Sequence, residues 1–293
     1  MTRTRTVALV QMQSVALDAE ANASRSAREI HRATAAGASV VILPELVACG
    51  YVTDRDRLKD VAESLDSPGP CLTAWAESAR CRKTTVIAGF AEAVGDRLYN
   101  SVVTIDPRGD TVSLYRKLHL FGSERDCFAP GDVGLPVVDI GGVKIAVVVC
   151  YDLRFPEVVR ILALRGAELV AVPTAWVTGF DKVNLTDGRI GQVEGAIVQA
   201  NLSQVFIACA DQVGSVQEKV FLGRSVGVDP FGDVLAGPGS ASLEEMLIFS
   251  IDADQVERAR HRGKGIDPFD NRRTDVYGKL LGYVEQGDPQ VKE

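Results

Sequence analysis

Short apolar runs rich in β-branched residues alternate with stretches of helical periodicity over most of the 293 residues. Apolar runs of this length, bounded by turn residues, are typical of buried strands, whereas apolar positions three and four apart indicate helices. The predicted strands are residues 7–11, 39–43, 85–91, 101–105, 111–116, 145–149, 169–172 and 205–210, and the predicted helices are residues 20–36, 71–80, 156–165 and 192–199. This alternation indicates an α/β fold.

One turn sequence, Asp-Pro-x-Gly-Asp, occurs twice, at residues 106–110 and 229–233, each time between two strand patterns. One interpretation is that each half of the chain carries a similar hairpin, so that two α/β halves pack with their sheets face to face and their helices outside. The alternative is that a favourable type I turn has been used twice.

Composition narrows the possible partners and locations. The net charge is −7, and the 32 basic residues are spread along the chain, so no nucleic-acid partner is expected. No apolar run approaches the ~18 residues of a membrane span, and the N-terminus does not resemble a signal peptide, so we expect a cytoplasmic protein without a membrane partner. The six cysteines form no Cys-x-x-Cys pair, which argues for free thiols over disulfides or a zinc site.

The domain organisation is predicted from the absence of any linker or shift in composition before about residue 255. Residues 1–257 are therefore expected to form one domain. Residues 258–293 are a C-terminal extension whose first part is rich in Arg, Gly and Asp, and we expect it to pack on the domain or on a partner subunit.

Three residues with reactive side chains each follow an apolar strand pattern: Glu45, Lys117 and Cys150. Ligands of α/β sheets bind at the carboxyl ends of strands, so these side chains could meet there. Each also has a plainer interpretation: a helix-terminal or loop charge for the glutamate, an edge-strand guard for the lysine, and a small buried hydrophobe for the cysteine.

The three residue types together suit acyl transfer. A neighbouring ammonium favours the thiolate, and a carboxylate can accept the thiol proton, protonate the departing amine and activate water. The ammonium and the amide N–H of Tyr151 could stabilise the oxyanion.

The surrounding sequence words resemble those of the carbon-nitrogen hydrolase (nitrilase-like) superfamily. They are Pro44-Glu45-Leu46 with Cys49-Gly-Tyr51, Tyr115-Arg-Lys-Leu-His-Leu-Phe121, and Cys150-Tyr-Asp-Leu-Arg-Phe-Pro-Glu157, supported by Tyr99-Asn-Ser101, residues 221–232 and, weakly, Arg272-Arg-x-x-x-Tyr277. The resemblance covers nearly the whole chain. One word departs from the pattern: the family's Arg-Ala-x-Glu-Asn reads Ile197-Val-Gln-Ala-Asn201 here, which puts the usual interface around that helix in doubt.

The resemblance implies a four-layer αββα sandwich of two facing mixed sheets with helices outside, and a homodimer or larger homo-oligomer. No metal or cofactor is expected, because the three residues suffice for acyl transfer and the histidines offer no ligand pair. The resemblance also implies that Glu45 is the general base and acid, Lys117 the oxyanion stabiliser and Cys150 the nucleophile. Many members carry a second glutamate six residues before the Pro-Gly of the following loop, which corresponds to Glu124 before Pro130-Gly131 and is expected to position the lysine or the substrate.

The residues after the cysteine resemble the amidase-type branch, because Tyr151-Asp152 follow it where nitrilases tend to have Trp or Gly and then Glu. We therefore expect hydrolysis of a small carboxylic amide to a carboxylate and ammonia through a thiol ester. An N-carbamoyl amino acid, a carbamoyl amine or a nitrile remains the alternative substrate. Candidate substrate-binding residues are Tyr51, Tyr151, Arg154, Thr174, Ala175 and Trp176, with Phe180 beside them.

Two of these candidates carry an alternative interpretation. Arg154 could hold a substrate carboxylate or belong to a structural ion pair. Trp176 could form the wall of an apolar acyl pocket or belong to the core.

Other classes of protein fit the sequence less well. A serine-histidine-aspartate hydrolase would need a Gly-x-Ser-x-Gly elbow, and a metal hydrolase would need paired ligands. The chain has only His31, His119 and His261, at no ligand spacing, and His119 is interpreted as structural. An inert oligomeric scaffold is expected to have lost one of the three reactive residues, and all three are present.

Overall fold

A computed structural model describes residues 3–181 and 189–280 of the protein. The strands are β1 Thr4–Gln11, β2 Val40–Ile42, β3 Thr85–Val94, β4 Arg97–Ile105, β5 Thr111–Arg116, β6 Val137–Ile140, β7 Val143–Val147, β8 Leu169–Pro173, β9 Phe206–Ala210, β10 Ser215–Val216, β11 Lys219–Val220, β12 Val226–Val228, β13 Val234–Ala236 and β14 Glu245–Asp252. The helices are α1 Ala19–Ala35, α2 Arg55–Lys59, α3 Pro70–Arg82, α4 Pro156–Leu164, α5 Gly191–Ser203, α6 Asp254–Arg260 and α7 Thr274–Leu280, with 3₁₀ helices at Gly122–Asp126 and Cys150–Arg154.

The strands form two large mixed sheets. Their strand orders are β14-β1-β2-β3-β4-β5 and β13-β12-β9-β8-β7-β6, while β10 and β11 pair as a separate hairpin. In each large sheet three central strands are parallel to one another, and every other pairing of neighbouring strands is antiparallel. Parallel neighbours need a crossover connection, which α1, α3, α4 and α5 provide.

The two sheets are built on the same plan, because β1-α1-β2-α3-β3-β4-β5 and β7-α4-β8-α5-β9-β12-β13 follow the same order of strands and crossovers. The repeated Asp-Pro-x-Gly-Asp turns occupy equivalent places, between β4 and β5 and between β12 and β13. In both turns the first aspartate accepts hydrogen bonds from two following backbone amides, Arg108 and Asp110 in one and Phe231 and Asp233 in the other. The predicted pair of similar halves is therefore present.

Three layers of buried apolar side chains hold the sandwich together. Alternate residues of a strand point to opposite faces, so each buried strand supplies two cores. Val7 and Leu9 face Val147 and Leu169 between the sheets. The outer faces pack on helices, with Trp75 of α3 in one outer core and residues of α4 and α5 in the other. The predicted four-layer αββα sandwich is confirmed.

Apart from the short hairpin β10–β11, two strands were not predicted, because their apolar pattern is weak. β14 pairs with β1 along its whole length, but only Phe249 and Ile251 of its side chains are buried. β6 lies at the edge of the second sheet with only Ile140 buried. Edge strands share one backbone partner and few core positions, so their sequences are less constrained.

The predicted boundary after residue 257 lies inside α6, whose Val256 and Ala259 are buried. Beyond it, the ring of Phe269 packs against the outer core of the second sheet. The guanidinium groups of Arg160 and Arg260 lie 5.1 Å and 4.6 Å from the centre of that ring. Residues 281–293 of the predicted extension lie outside the described residues. Among the helices that are described, none is long and apolar enough to cross a membrane.

Candidate active site

Glu45 lies beyond the end of β2 and is completely buried. Its backbone N–H donates to the carbonyl of Thr174 (3.3 Å), and its carbonyl accepts from Gln212 Nε2 (2.8 Å), so the second sheet's loops fix its position. Gly89 of β3 permits this path, because a Cβ there would lie 2.6 Å from the amide nitrogen of Leu46. A larger residue at that position would displace the segment that carries Glu45.

Lys117 follows β5 directly, and its N–H donates to the carbonyl of Asn100 on β4 (2.9 Å). Its Nζ lies 2.6 Å from Glu45 Oε1 and 2.7 Å from Glu124 Oε1, and the three side chains have no exposed surface. Asn100 Nδ2 also donates to Glu45 Oε1, at 2.7 Å. A buried ammonium between two carboxylates satisfies the requirement that buried charges be paired and hydrogen-bonded.

Glu124 is held in the 3₁₀ helix Gly122–Asp126 by bonds to both of its oxygens. Oε2 accepts the N–H of Phe121 (2.9 Å), and Oε1 accepts the hydroxyl of Tyr51 (2.5 Å) in addition to Lys117. Tyr51, predicted to bind substrate, is buried in contact with Glu124. The structure therefore places the second glutamate in contact with the lysine.

Cys150 is the first residue of the 3₁₀ helix that follows β7, and it is half-buried. Its φ of +46° is in the left-handed region, which is costly for a residue other than glycine. Such strain persists only where the surroundings enforce it, and it is concentrated at functional sites.

Asp152, two residues later, enforces the conformation of this turn. Its completely buried carboxylate accepts four hydrogen bonds, from Tyr115 Oη (2.7 Å), the His119 N–H (2.9 Å), His119 Nδ1 (2.8 Å) and the Val149 N–H (3.2 Å). These hydrogen bonds join the segment that contains Cys150 to the segment that contains Lys117. The His119 ring stacks on Phe155, with 3.5 Å between the ring centres. The sequence did not predict this structural role of Asp152, although the residue lies within the motif Cys150-Tyr-Asp152.

The ionisable groups of the site shift one another's pKa values. Burial, reinforced by the charge of Glu124 and opposed by Lys117, raises the pKa of Glu45 to about 7. Burial alone would lower the pKa of Lys117, but Glu124 and Glu45 raise it above its usual value. Burial and then the Glu45 charge raise the pKa of Cys150, while Lys117 and the backbone of Ala175 oppose them. The resting cysteine is therefore a thiol, and the Glu45 carboxyl group whose charge acts on it has a pKa near neutrality.

Glu45 keeps one oxygen available. Its Oε1 accepts from Lys117 and Asn100, whereas its buried Oε2 has no hydrogen-bond partner among the described residues. A carboxylate with a free oxygen and a pKa near 7 is suited to accept and return a proton at neutral pH.

A cavity opens beside Cys150. Of the predicted substrate-binding residues, Tyr151, Arg154, Ala175 and Trp176 line it, as does Phe180. Its other lining residues were not predicted: Phe121, Leu153, Val177, Gln192 and Gly195. Thr174 is not in the lining, because its buried hydroxyl donates to Asp211 Oδ1 at 2.8 Å.

One wall of the cavity is aromatic. The rings of Phe121, Tyr151 and Phe180 meet edge to face, with centres 5.2 to 5.7 Å apart. Arg154 lies over Phe180, 5.1 Å from the ring centre, and its Nη1 pairs with Asp181 Oδ2 at 2.8 Å. The Arg154 charge is therefore paired with a carboxylate of the protein itself.

Within residues 3–181 and 189–280, no three His, Cys, Asp or Glu side chains are grouped so that they could hold a metal ion.

Comparisons with known proteins identify the family. The carbon-nitrogen hydrolase family model matches residues 6–261. A nitrilase from Pyrococcus abyssi is 35% identical, covering 92% of this chain and 98% of the relative, and an (R)-stereoselective amidase from a Pseudomonas species is 34% identical, covering 93% of each. An N-carbamoylputrescine amidase from Solanum lycopersicum is 29% identical, covering 90% of this chain and 91% of the relative.

Solved structures agree with these sequence relatives. An amidase from a Nesterenkonia species superposes with a TM-score of 0.79 at 26% identity, covering 96% of this chain and 97% of that one. A variant of that amidase carries the acetamide moiety of fluoroacetamide covalently on its active-site cysteine (TM-score 0.79, 25% identity, covering 96% and 97%). The chain described here belongs to the carbon-nitrogen hydrolase family and is an amidase-type hydrolase of the nitrilase superfamily.

Proposed function

We propose that this enzyme hydrolyses a small, uncharged carboxylic amide to a carboxylate and ammonia through a thiol ester on Cys150. The observation that carries the proposal is the fully buried cluster of Glu45, Lys117 and Glu124, with one glutamate oxygen unpaired, whose charges act on the Cys150 thiol.

Acylation begins when Glu45 accepts the thiol proton and the sulfur bonds to the amide carbon. The negative charge that develops on the carbonyl oxygen is stabilised by the Lys117 ammonium and the Tyr151 N–H, which has no acceptor within the first turn of its 3₁₀ helix. Glu45 then donates the proton to the amide nitrogen, the C–N bond breaks and ammonia leaves.

Deacylation repeats the proton transfers with water. Glu45 accepts a proton from a water molecule whose oxygen attacks the thiol ester carbon, and Lys117 again stabilises the oxyanion. The C–S bond breaks, the sulfur recovers a proton from Glu45, and the carboxylic acid leaves and ionises in solution. Glu124 positions Lys117 throughout, because its own oxygens are fully engaged.

The preference for an uncharged acyl group follows from the cavity. Its wall is largely apolar and aromatic, which favours an apolar acyl chain. The charge of Arg154 is paired with Asp181, which weakens its attraction for a substrate carboxylate. An N-carbamoyl amine is the second candidate substrate, supported by the similarity to N-carbamoylputrescine amidases.

The test measures ammonia release from butyramide, succinamate, an N-carbamoyl amine and butyronitrile. We expect butyramide to have the highest kcat/KM and Cys150→Ala to abolish turnover, with Cys81→Ala as the control because Cys81 is an exposed cysteine. Preferential turnover of the carbamoyl compound or the nitrile would contradict the substrate class, and substantial activity in Cys150→Ala would contradict the mechanism.

We also propose that the protein is a homodimer or larger homo-oligomer in the cytoplasm. Four apolar side chains on the outer surfaces of α4 and α5 are 40% to 53% exposed, which supports burial against a second copy: Ile161, Leu164, Val198 and Leu202. All six cysteines are free, as is usual in a reducing compartment.

A further inference from the structure

Gln192 is a polar side chain in an otherwise largely apolar part of the cavity. It is the second residue of α5, and only 5% of its surface is exposed. Gly195, three residues later and therefore on the same face of the helix, also lines the cavity. The start of α5 thus forms one wall of the acyl pocket.

The side-chain oxygen of Gln192 is buried and accepts no hydrogen bond from any described residue. Gln199, two turns further along the same face, is also buried, and its amide is held within the protein because its Nε2 donates to the carbonyl of Leu153 at 3.4 Å. Burying a carbonyl oxygen without a donor destabilises a folded protein. Because Gln192 lines the cavity, a donor on a bound ligand could satisfy its oxygen.

The neighbours of Gln192 define which ligand group would fit. Leu153 and Phe180 carry no side-chain donor, and no described residue, Trp176 included, donates a hydrogen bond to Gln192 Oε1. Arg154 is engaged by Asp181, and the Asp181 carboxyl group lies against Gly191, where an added Cβ would be 2.2 Å from it. A carboxylate on the ligand would therefore meet an unpaired carbonyl oxygen that cannot donate to it, whereas a neutral donor would complete the site.

We propose that Gln192 is a specificity-determining residue whose Oε1 accepts a hydrogen bond from a neutral O–H or N–H group on the acyl chain of the substrate. The inference rests on the proposed amide hydrolysis and narrows it: the preferred substrate is an amide whose acyl chain carries a hydroxyl or a second carboxamide. Sites that hydrogen-bond a substrate group discriminate strongly against analogues that lack it.

The experiment compares matched pairs of amides. Each pair has an ω-hydroxyl amide and the methyl-terminated amide with the same number of heavy atoms, over acyl chains of increasing length. Wild-type enzyme should prefer the hydroxyl member of one pair by about tenfold in kcat/KM, the value of one net hydrogen bond. Gln192→Met should reduce this preference to about one, with most of the change at the length that reaches α5.

Gln199→Met is the matched control, since it removes a buried glutamine from the same helix whose amide is already hydrogen-bonded within the protein. It should lower the melting temperature and leave the substrate ratio as in the wild type. Gln192→Met should keep or raise the melting temperature, because it removes an unpaired buried acceptor. Variants that fail to fold would be recognised by this measurement, and a fall in melting temperature with Gln192→Met would itself count against the proposal.

The possible results distinguish a failure of the proposed amide hydrolysis from a failure of the proposed role of Gln192. If none of the amides releases ammonia, the proposed amide hydrolysis is wrong. If plain amides are hydrolysed but no hydroxyl member is preferred, or if Gln192→Met keeps the preference, only the role of Gln192 is overturned. A dicarboxylate half-amide preferred over its hydroxyl analogue would likewise overturn it.

Discussion

At the residue scale, the two glutamates on either side of Lys117 differ in how many of their oxygens are engaged. Glu124 is bound through both oxygens, by Lys117, Tyr51 and the Phe121 amide. Glu45 is bound through Oε1 alone. The fixed carboxylate can hold the lysine, and the partly free one can exchange protons, so chemically identical side chains acquire different roles from their contacts.

The raised pKa of Glu45 gives a prediction for pH dependence. Acylation requires the ionised carboxylate, so kcat/KM should rise with pH around a midpoint of about 7. The charge of Glu124 contributes to raising this pKa, so Glu124→Gln should shift the midpoint to lower pH while reducing kcat. The measurement is kcat/KM for a simple amide between pH 5 and 9.

Glu77→Gln serves as the control for this shift, because Glu77 is an exposed residue on α3. Its midpoint should equal that of the wild type. A wild-type midpoint near the ordinary carboxyl value, or one that does not move in Glu124→Gln, would contradict the assignment of Glu45 as the base.

Which site residues could be predicted depended on whether their signal was local. Glu45, Lys117 and Cys150 each follow an apolar strand within a recognisable word, and the structure brings Glu45 and Lys117 into direct contact. Gln192 could not be identified, because its significance lies in an unpaired oxygen facing residues distant in sequence.

At the scale of elements, Asp152 joins the turn after β7 to the segment after β5. Asp152→Asn should replace an acceptor of four hydrogen bonds by a group that donates at one end. We expect a loss of about 2–4 kcal/mol in the free energy of unfolding, because buried donors are left unpaired, together with a lower kcat from the displaced cysteine.

Urea unfolding and steady-state kinetics would test this, with Asp60→Asn as the control. Asp60 is exposed at the C-terminus of α2, and its substitution should change neither quantity. Unchanged stability in Asp152→Asn would show that its hydrogen bonds do not hold the turn.

Glycines in two turns of the first sheet give a prediction about packing. Gly109, in the turn between β4 and β5, has φ +88°, and a Cβ there would lie 2.8 Å from the carbonyl oxygen of Ala76 on α3. Gly95, between β3 and β4, has φ +55° with open space around it. Gly95→Ala should cost about 1 kcal/mol from backbone strain alone, and Gly109→Ala should cost clearly more.

Comparison of the two midpoints in urea unfolding measures the difference. Equal costs would mean that α3 moves aside for the added methyl group without loss.

Whether a strand could be predicted from the sequence depended on how much of it is buried. Central strands are buried on both faces and read as continuous apolar runs, so all of them were found. β6 and β14 lie outside the parallel strands and bury few side chains, and their sequences carry little periodic signal. The pair of Asp-Pro-x-Gly-Asp turns indicated the repeat, because the same hydrogen bonds are formed by the same residue types in both halves.

At the scale of the whole molecule, the outer surfaces of α4 and α5 bear on assembly. If these surfaces contact a second copy of the chain, the double variant Val198→Glu, Leu202→Glu should form a smaller assembly than the wild type. Light scattering coupled to gel filtration would measure its lower molar mass. Charged groups there would lose their hydration at an interface without partners. Leu243→Glu is the control, because Leu243 is 66% exposed and lies outside both helices. A wild-type monomer, or an unchanged mass in the double variant, would contradict this interface.

The repeated plan has a consequence for when the chain becomes reactive. Glu45 and Lys117 come from the first repeat, Cys150 comes from the second, and the loop residues Thr174 and Gln212 of the second repeat anchor the backbone of Glu45. The proposed nucleophile and its proposed base therefore come from different repeats. A chain whose two repeats have not docked lacks this arrangement, so its Cys150 should react only as an ordinary thiol.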